Sequence, residues 1–186
     1  MPRVGLTPVA LVDIALDILD ETGEVSLAKI ASRAQVATPS LYKHIANLAQ
    51  LRELIAIRAT DELNERITEA LLGRSGPEAV RASMTAWRQY AVEHPHRYAA
   101  IPLQPLSDPA LTEAGDRLLR TARSVFRQFA LSPDDLIHAI RAFRVIVHGF
   151  STLEAGGGFG LPQDLDRSFE EMIDMYLASL PETQRA

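Results

Sequence analysis

The chain has 186 residues and a net charge of −5, with 47% hydrophobic and 23% charged residues, the proportions of a globular protein of one or two small domains rather than a disordered chain. It contains no cysteine, which excludes disulfides and thiolate metal sites and fits a reducing cytoplasm, the expected location. The N-terminal apolar stretch is interrupted by Asp13 and Asp17, so neither a signal peptide nor a membrane span is expected there.

In chain order, Thr7-Pro8 opens the first predicted helix, with Val12, Ala15, Leu16 and Leu19 inward and an end near Gly23. Ser26 caps a short second helix whose Leu27, Ile30, Ala31 and Ala34 recur at helical spacing. Thr38 caps a third, and Pro39 takes its first position, where a missing N–H costs nothing. Leu41 and Ile45 form the inner stripe of that helix, and Ala31 is small enough for the two helices to cross closely. Residues 26–45 therefore have the grammar of a DNA-reading helix-turn-helix. Pro39, Ser40, Tyr42, Lys43 and His44 point outward, all but the proline being types suited to phosphate and base edges.

Charge agrees with this reading. Residues 25–52 contain no Asp or Glu but carry Lys29, Arg33, Lys43 and Arg52, a local +4 inside a chain of net −5. Such asymmetry suits a segment that approaches a polyanion while the remainder stays clear of it.

Asn47 caps a long helix over residues 47–72, with Leu51, Leu54, Ile55 and Arg58 on successive turns. A linker-like stretch at 73–77 precedes a helix through Trp87 and Tyr90 to about Glu93. Residues 94–108 hold Pro95, Pro102 and Pro105, predicting a short helix plus irregular chain. Asp108 caps a helix carrying Leu111, Ala114, Leu118, Ala122, Val125 and Phe129, and Ser132 starts another that runs to about Glu154. After a glycine-rich loop at 156–160, a last helix shows Phe169, Met172, Ile173, Tyr176, Leu177 and Leu180 on one face. No segment alternates with period two over a strand length, so the expected class is all-α with about nine helices.

At Ile30-Ala31, Ala34, Val36, Leu41-Tyr42-Lys43-His44-Ile45 and Leu51 the chain resembles the TetR family of bacterial one-component transcription regulators. The stretch 141–160, with His148-Gly149-Phe150, Leu153-Glu154 and its glycines, resembles the subgroup named for a Trp-His-Gly motif, although Val147 stands where that motif has Trp. The resemblance implies a three-helix DNA-binding domain at 1–46 and a helical effector-binding and dimerisation domain at 47–186, linked by the long helix. It further implies a homodimer that lays two recognition helices in successive major grooves of a pseudo-palindromic double-stranded operator, most often as a repressor released by a small-molecule effector. The long helix is then the natural lever between effector and DNA. The DNA-contacting set is expected to be Ser26, Lys29, Thr38, Pro39, Ser40, Tyr42, Lys43 and His44, with Tyr42 and His44 on phosphate and Lys43 on phosphate or a guanine edge. In the turn, where most members have glycine, this chain has Gln35, which requires a left-handed backbone at about 1 kcal/mol or a different turn. Where many members carry a phosphate-contacting lysine just beyond the recognition helix, it has Leu48.

The helix starting at Ser132 is apolar on nearly every side and must be covered on more than one face. A dimer seam is expected there and on the last helix, at Phe143, Val147, Phe150, Phe169, Met172 and Tyr176. Gly149 permits close helix approach. For the effector pocket the candidates are Met84, Trp87, Tyr90, Tyr98 and Phe126 with Arg144 and His148, although aromatics at helical spacing also suit a plain core. Arg141, Arg144, His148 and Thr152 form one polar stripe, read as a partly solvated face or as a cationic pocket lining. Glu170, Glu171 and Asp174 read as a solvated face, and His94 and His96 as an exposed turn rather than a metal site. No cofactor, metal or membrane partner is expected, and with no nucleophile motif an enzyme is not expected either. The alternative to a DNA-binding regulator is a helical small-molecule-binding or protein-interaction module that has lost specific DNA binding.

Overall fold

Helix caps lay out the first half of the chain. In the computed structural model, which describes residues 6–102 and 109–183, α1 (Pro8–Thr22) begins where the Ala10 N–H donates to Thr7 Oγ1 at 3.1 Å. It ends on Gly23 in the left-handed conformation, φ 70°. At the head of α2 (Leu27–Arg33) the Lys29 N–H donates to Ser26 Oγ at 3.2 Å. Thr38 does not cap the next helix: α3 (Thr38–Leu41) includes it, and the flanking residue is Ala37, which makes no side-chain cap bond. Pro39 still falls in the first turn, where its missing N–H leaves no intrahelical bond unmade. Residues 42–44 continue as hydrogen-bonded turn, with the His44 N–H on the Leu41 carbonyl at 2.9 Å.

α4 (Leu48–Ala70) opens on a reciprocal cap. The Gln50 N–H donates to Asn47 Oδ1 at 2.9 Å, while Gln50 Oε1 accepts the Ala46 N–H at 2.6 Å. There follow α5 (Gly76–Glu93), α6 (Pro95–Ala100), α7 (Pro109–Val125), α8 (Pro133–Ala155) and α9 (Leu165–Ser179). The Ser132 cap on α8 is present, with the Asp135 N–H on its Oγ at 3.1 Å; the expected cap at Asp108 lies outside the described residues. α7 stops at Val125, so Phe129 is packed from beyond the helix predicted to carry it, and Phe126 from the turn between them. Among the described residues there are nine helices and no strand; one isolated bridge joins Phe129 to Thr183.

Contacts divide the chain into two compact units. The first comprises the chain through Thr60 together with His96–Ala114; the second comprises Asp61–Pro95 and the chain from Gly115 onward. The start of α4 belongs to the first unit, Leu51 and Ile55 being buried in the same cluster as Leu11, Leu16, Ile30 and Leu41. The second unit packs α5 against α8 and α9. Its centre is aromatic: Phe143 meets Trp87, Phe126 and Tyr176 edge-on, with centroids 5.9, 6.0 and 6.3 Å apart. The Tyr176 hydroxyl donates to the Ala139 carbonyl at 2.7 Å, so this buried phenol is satisfied and its ionisation is pushed well above the ordinary tyrosine range by burial.

Candidate nucleic-acid interface

Residues 26–45 do form two short helices about a tight turn, and Gln35 takes the left-handed backbone, φ 54°. The turn closes α2 by a double bond pattern in which the Gln35 N–H reaches the Ser32 carbonyl at 3.2 Å and the Val36 N–H reaches the Ala31 carbonyl at 3.0 Å. Val36 packs against the cluster containing Ile30, the apolar contact that accompanies such a cap. The turn therefore keeps the geometry that glycine would make easy, with a glutamine held in it.

Leu41 and Ile45 are buried and anchor the segment, as is Ala31 where the helices meet. Tyr42 is 55% exposed, and Pro39 and Lys43 are also exposed. Thr38, Ser40, His44 and Ser26 are partly buried, and Ser26 spends its hydroxyl on the α2 cap. The surface thus gathers Thr38, Pro39, Ser40, Tyr42, Lys43 and His44 around one short helix and its following turn. Ser26 and Lys29 sit instead at the head of α2, where Lys29 Nζ donates to Thr22 Oγ1 at 3.2 Å.

The basic window is not uniformly available to a ligand. Arg33 forms a forked pair with Glu21, at 2.8 and 2.5 Å, and that hydrogen bonding holds the Glu21 carboxyl below its usual range while raising Arg33. Lys43 and Arg52 are exposed and, among the described residues, in no ion pair. Glu21, which neutralises Arg33, lies just outside the window, so residues 25–52 alone overstate the free charge.

The other candidate residues separate. Met84, Trp87, Tyr90 and Phe126 are all buried in the second unit, and the Tyr90 hydroxyl is 3.1 Å from Glu62 Oε2. Tyr98 is buried in the first unit. Arg144 is exposed and His148 half-buried on α8; burial, and then the neighbouring Arg144 charge, lowers the His148 pKa. Five of the six residues expected at a dimer seam, Phe143, Val147, Phe150, Phe169 and Tyr176, are buried within the chain itself, because α8 turns this face to α5 and α9. Met172 is only partly buried, while Val145, Leu153 and Met175 on the same two helices are 70%, 51% and 66% exposed. The carboxylates of Glu170 and Asp174 are not merely solvated: both pair with Arg81 of α5. Among the described residues no group of acidic, histidine or cysteine side chains is placed to hold a metal, and no helix is long and apolar enough to cross a membrane.

Residues 80–176 match the family model described as the tetracyclin repressor-like C-terminal domain. The chain is 31% identical over 182 residues to the uncharacterized HTH-type transcriptional regulator YobS of Bacillus subtilis, covering 96% of this chain and 95% of that one. It is 33% identical over 168 residues to the uncharacterized HTH-type transcriptional regulator Rv0681 of Mycobacterium tuberculosis, covering 88% and 77%. Its fold is similar to that of a protein of unknown function from Rhodococcus sp. RHA1, with a TM-score of 0.83 at 19% identity over 96% of this chain and 97% of that one. It is also similar to a TetR variant from Acinetobacter baumannii solved with minocycline, with a TM-score of 0.69 at 21% identity over 93% and 95%. With a capped helix-turn-helix at one end, a repressor-like helical domain at the other and regulators aligned along nearly its whole length, the chain belongs to the TetR family of transcription regulators.

Proposed function

We propose that the protein is a homodimeric repressor that reads a pseudo-palindromic operator with the α3 segment of each protomer and releases it on binding a small organic effector. The observation that carries the reading is the exposed set Pro39, Tyr42 and Lys43 held on an anchored helix-turn-helix whose window 25–52 has no carboxylate. Tyr42, His44 and Lys43 take the phosphate backbone, with Lys43 also within the class of side chains that read guanine; Thr38, Pro39 and Ser40 approach base edges from the head of the helix. One such segment contacts few base pairs, and twofold symmetry doubles the readout.

The seam between protomers is assigned to the apolar residues that α8 and α9 leave uncovered or partly covered: Val145, Gly149 and Leu153 with Met172 and Met175. A Cβ on Gly149 would meet nothing within 4 Å in the single chain, which leaves room there for a second backbone to approach. The effector site is assigned to the buried Met84, Trp87, Tyr90 and Phe126 of the second unit, with Arg144 and His148 of α8 as its candidate polar groups. The Acinetobacter TetR variant was solved with minocycline, a polycyclic organic ligand, which supports an effector of that general kind.

Selection of DNA fragments by the purified protein at about physiological salt tests the reading, since weak non-specific binding is suppressed there. Recovery of sites with inverted half-sites about one helical turn apart is expected. A folded protein that enriches no site, with and without candidate effectors, overturns it in favour of a binding module without specific DNA recognition.

A further inference from the structure

The first unit contains a cavity of about 620 Å³ bounded by the end of α1, the start of α4 and α6, sharing no residue with the α2–α3 surface or with the aromatic core of the second unit. The volume falls within the range of small-molecule sites. Leu19, Val25 and Ile55 give it an apolar floor, and Glu24, Arg52 and His96 stand on its rim. Gly23 allows one wall to close: it is left-handed, and a Cβ there would come within 3.0 Å of the His96 imidazole.

Glu24 and Arg52 line the same cavity and, among the described residues, neither is in an ion pair, whereas Asp13 pairs with Arg58, Asp20 with Arg97 and Glu21 with Arg33. Opposite charges that line one cavity without closing on each other leave an acceptor and a forked donor open to a third molecule. A purely anionic guest would meet Glu24 unfavourably, and a purely cationic one would meet Arg52. A guest carrying both charges, with an apolar body for the floor, satisfies all three surfaces.

We propose that this cavity binds a small zwitterion of the apolar α-amino acid class, its carboxylate on Arg52, its ammonium on Glu24 and its side chain over Leu19, Val25 and Ile55. The site is independent of the effector site assigned above and does not rest on it.

The test is a titration of the isotope-labelled full chain, followed by amide NMR, with leucine and with its two half-molecules, 4-methylpentanoate and 3-methylbutylamine. Leucine is expected to give saturable shifts centred on residues 19–25, 52–55 and 96–100, with each half-molecule binding at least about tenfold more weakly, the loss of one charge-assisted hydrogen bond. Arg52→Ala and Glu24→Gln, both at exposed positions, are each expected to weaken leucine at least about tenfold. Absence of saturable shifts up to the solubility of leucine, shifts centred elsewhere, or retention of wild-type affinity by either variant overturns the proposal.

Discussion

The Arg88 guanidinium grips the Glu154 carboxylate with two hydrogen bonds, Nε to Oε2 at 2.6 Å and an Nη to Oε1 at 2.7 Å, while lying about 5 Å above the rings of both Phe150 and Phe169. Both partners are mostly withdrawn from solvent, at 13% and 15% side-chain exposure, and Arg88 also reaches Asp166 at the head of α9 at 2.8 Å. One side chain of α5 thus binds the end of α8 to the start of α9, across the loop that joins them.

Removing that side chain leaves Glu154 short of its partner and uncovers two aromatic rings. Arg88→Ala is expected to cost about 2–3 kcal/mol, below the range of about 3–5 kcal/mol for broken buried pairs because some solvent reaches the site. Arg88→Lys keeps the charge but loses the fork and the stacking, so it is expected to restore less than half. Urea unfolding midpoints of the two variants check both statements.

At Gln35 the left-handed backbone carries a steric cost that glycine does not. Gln35→Gly is expected to raise stability by about 0.5–1 kcal/mol, part of the gain being offset by the freer unfolded chain. A β-branched residue there, Gln35→Val, is expected to lower it. Thermal unfolding of the pair gives the sign directly.

Lys43 and Arg33 should differ on DNA although both belong to the basic window. Lys43→Ala is expected to weaken operator binding and to reduce the log–log salt slope by about one unit. Arg33 is already neutralised by Glu21, so Arg33→Ala is expected to change the slope by much less. Salt titrations of binding by fluorescence anisotropy separate the two.

On the outer side of α8 and α9, Val145→Glu and Met175→Glu each replace an exposed apolar side chain of the proposed seam by a charge. Both are expected to shift the protein toward monomer in sedimentation while leaving the helical signal unchanged, because neither residue is in the core. Dimers that persist in both variants would move the seam elsewhere.

His148 is held below its ordinary pKa of 6.5 by burial and by Arg144, so the folded chain binds the proton less well than the unfolded one. Stability is therefore greatest above the histidine range and declines as pH falls through about 6.5 toward the depressed folded value, below which the penalty is complete. His148→Gln is expected to flatten this decline, measured as the pH dependence of the unfolding midpoint.

Caps were the most legible part of the chain, because an N-terminal oxygen acts over three residues: Thr7, Ser26, Asn47 and Ser132 each bond the N–H three positions on. The inner stripe Ile30, Ala31, Leu41 and Ile45 was legible for the same local reason, as was the choice forced on Gln35. What a window of residues does not contain is the partner. α8 is apolar around most of its circumference, so periodicity alone could not distinguish Phe143, Val147 and Phe150, which its own chain covers, from Val145 and Leu153, which it leaves open. The same holds for charge. Glu21 lies 12 residues from Arg33 and Glu170 lies 89 from Arg81, and only folding reveals which basic groups remain unspent.

α3 has four residues, a single turn, and so possesses almost no stiffness of its own. Its aim is borrowed: Leu41 and Ile45 are clamped from beneath, and the chain leaving it is fastened to the first turn of α4 by Gln50 through the Ala46 N–H. On the proposed reading, Asn47 and Gln50 therefore aim the α3 segment as much as any side chain that would touch a base does, and loosening either one is expected to blur the discrimination between operators before it weakens the grip on DNA as a whole.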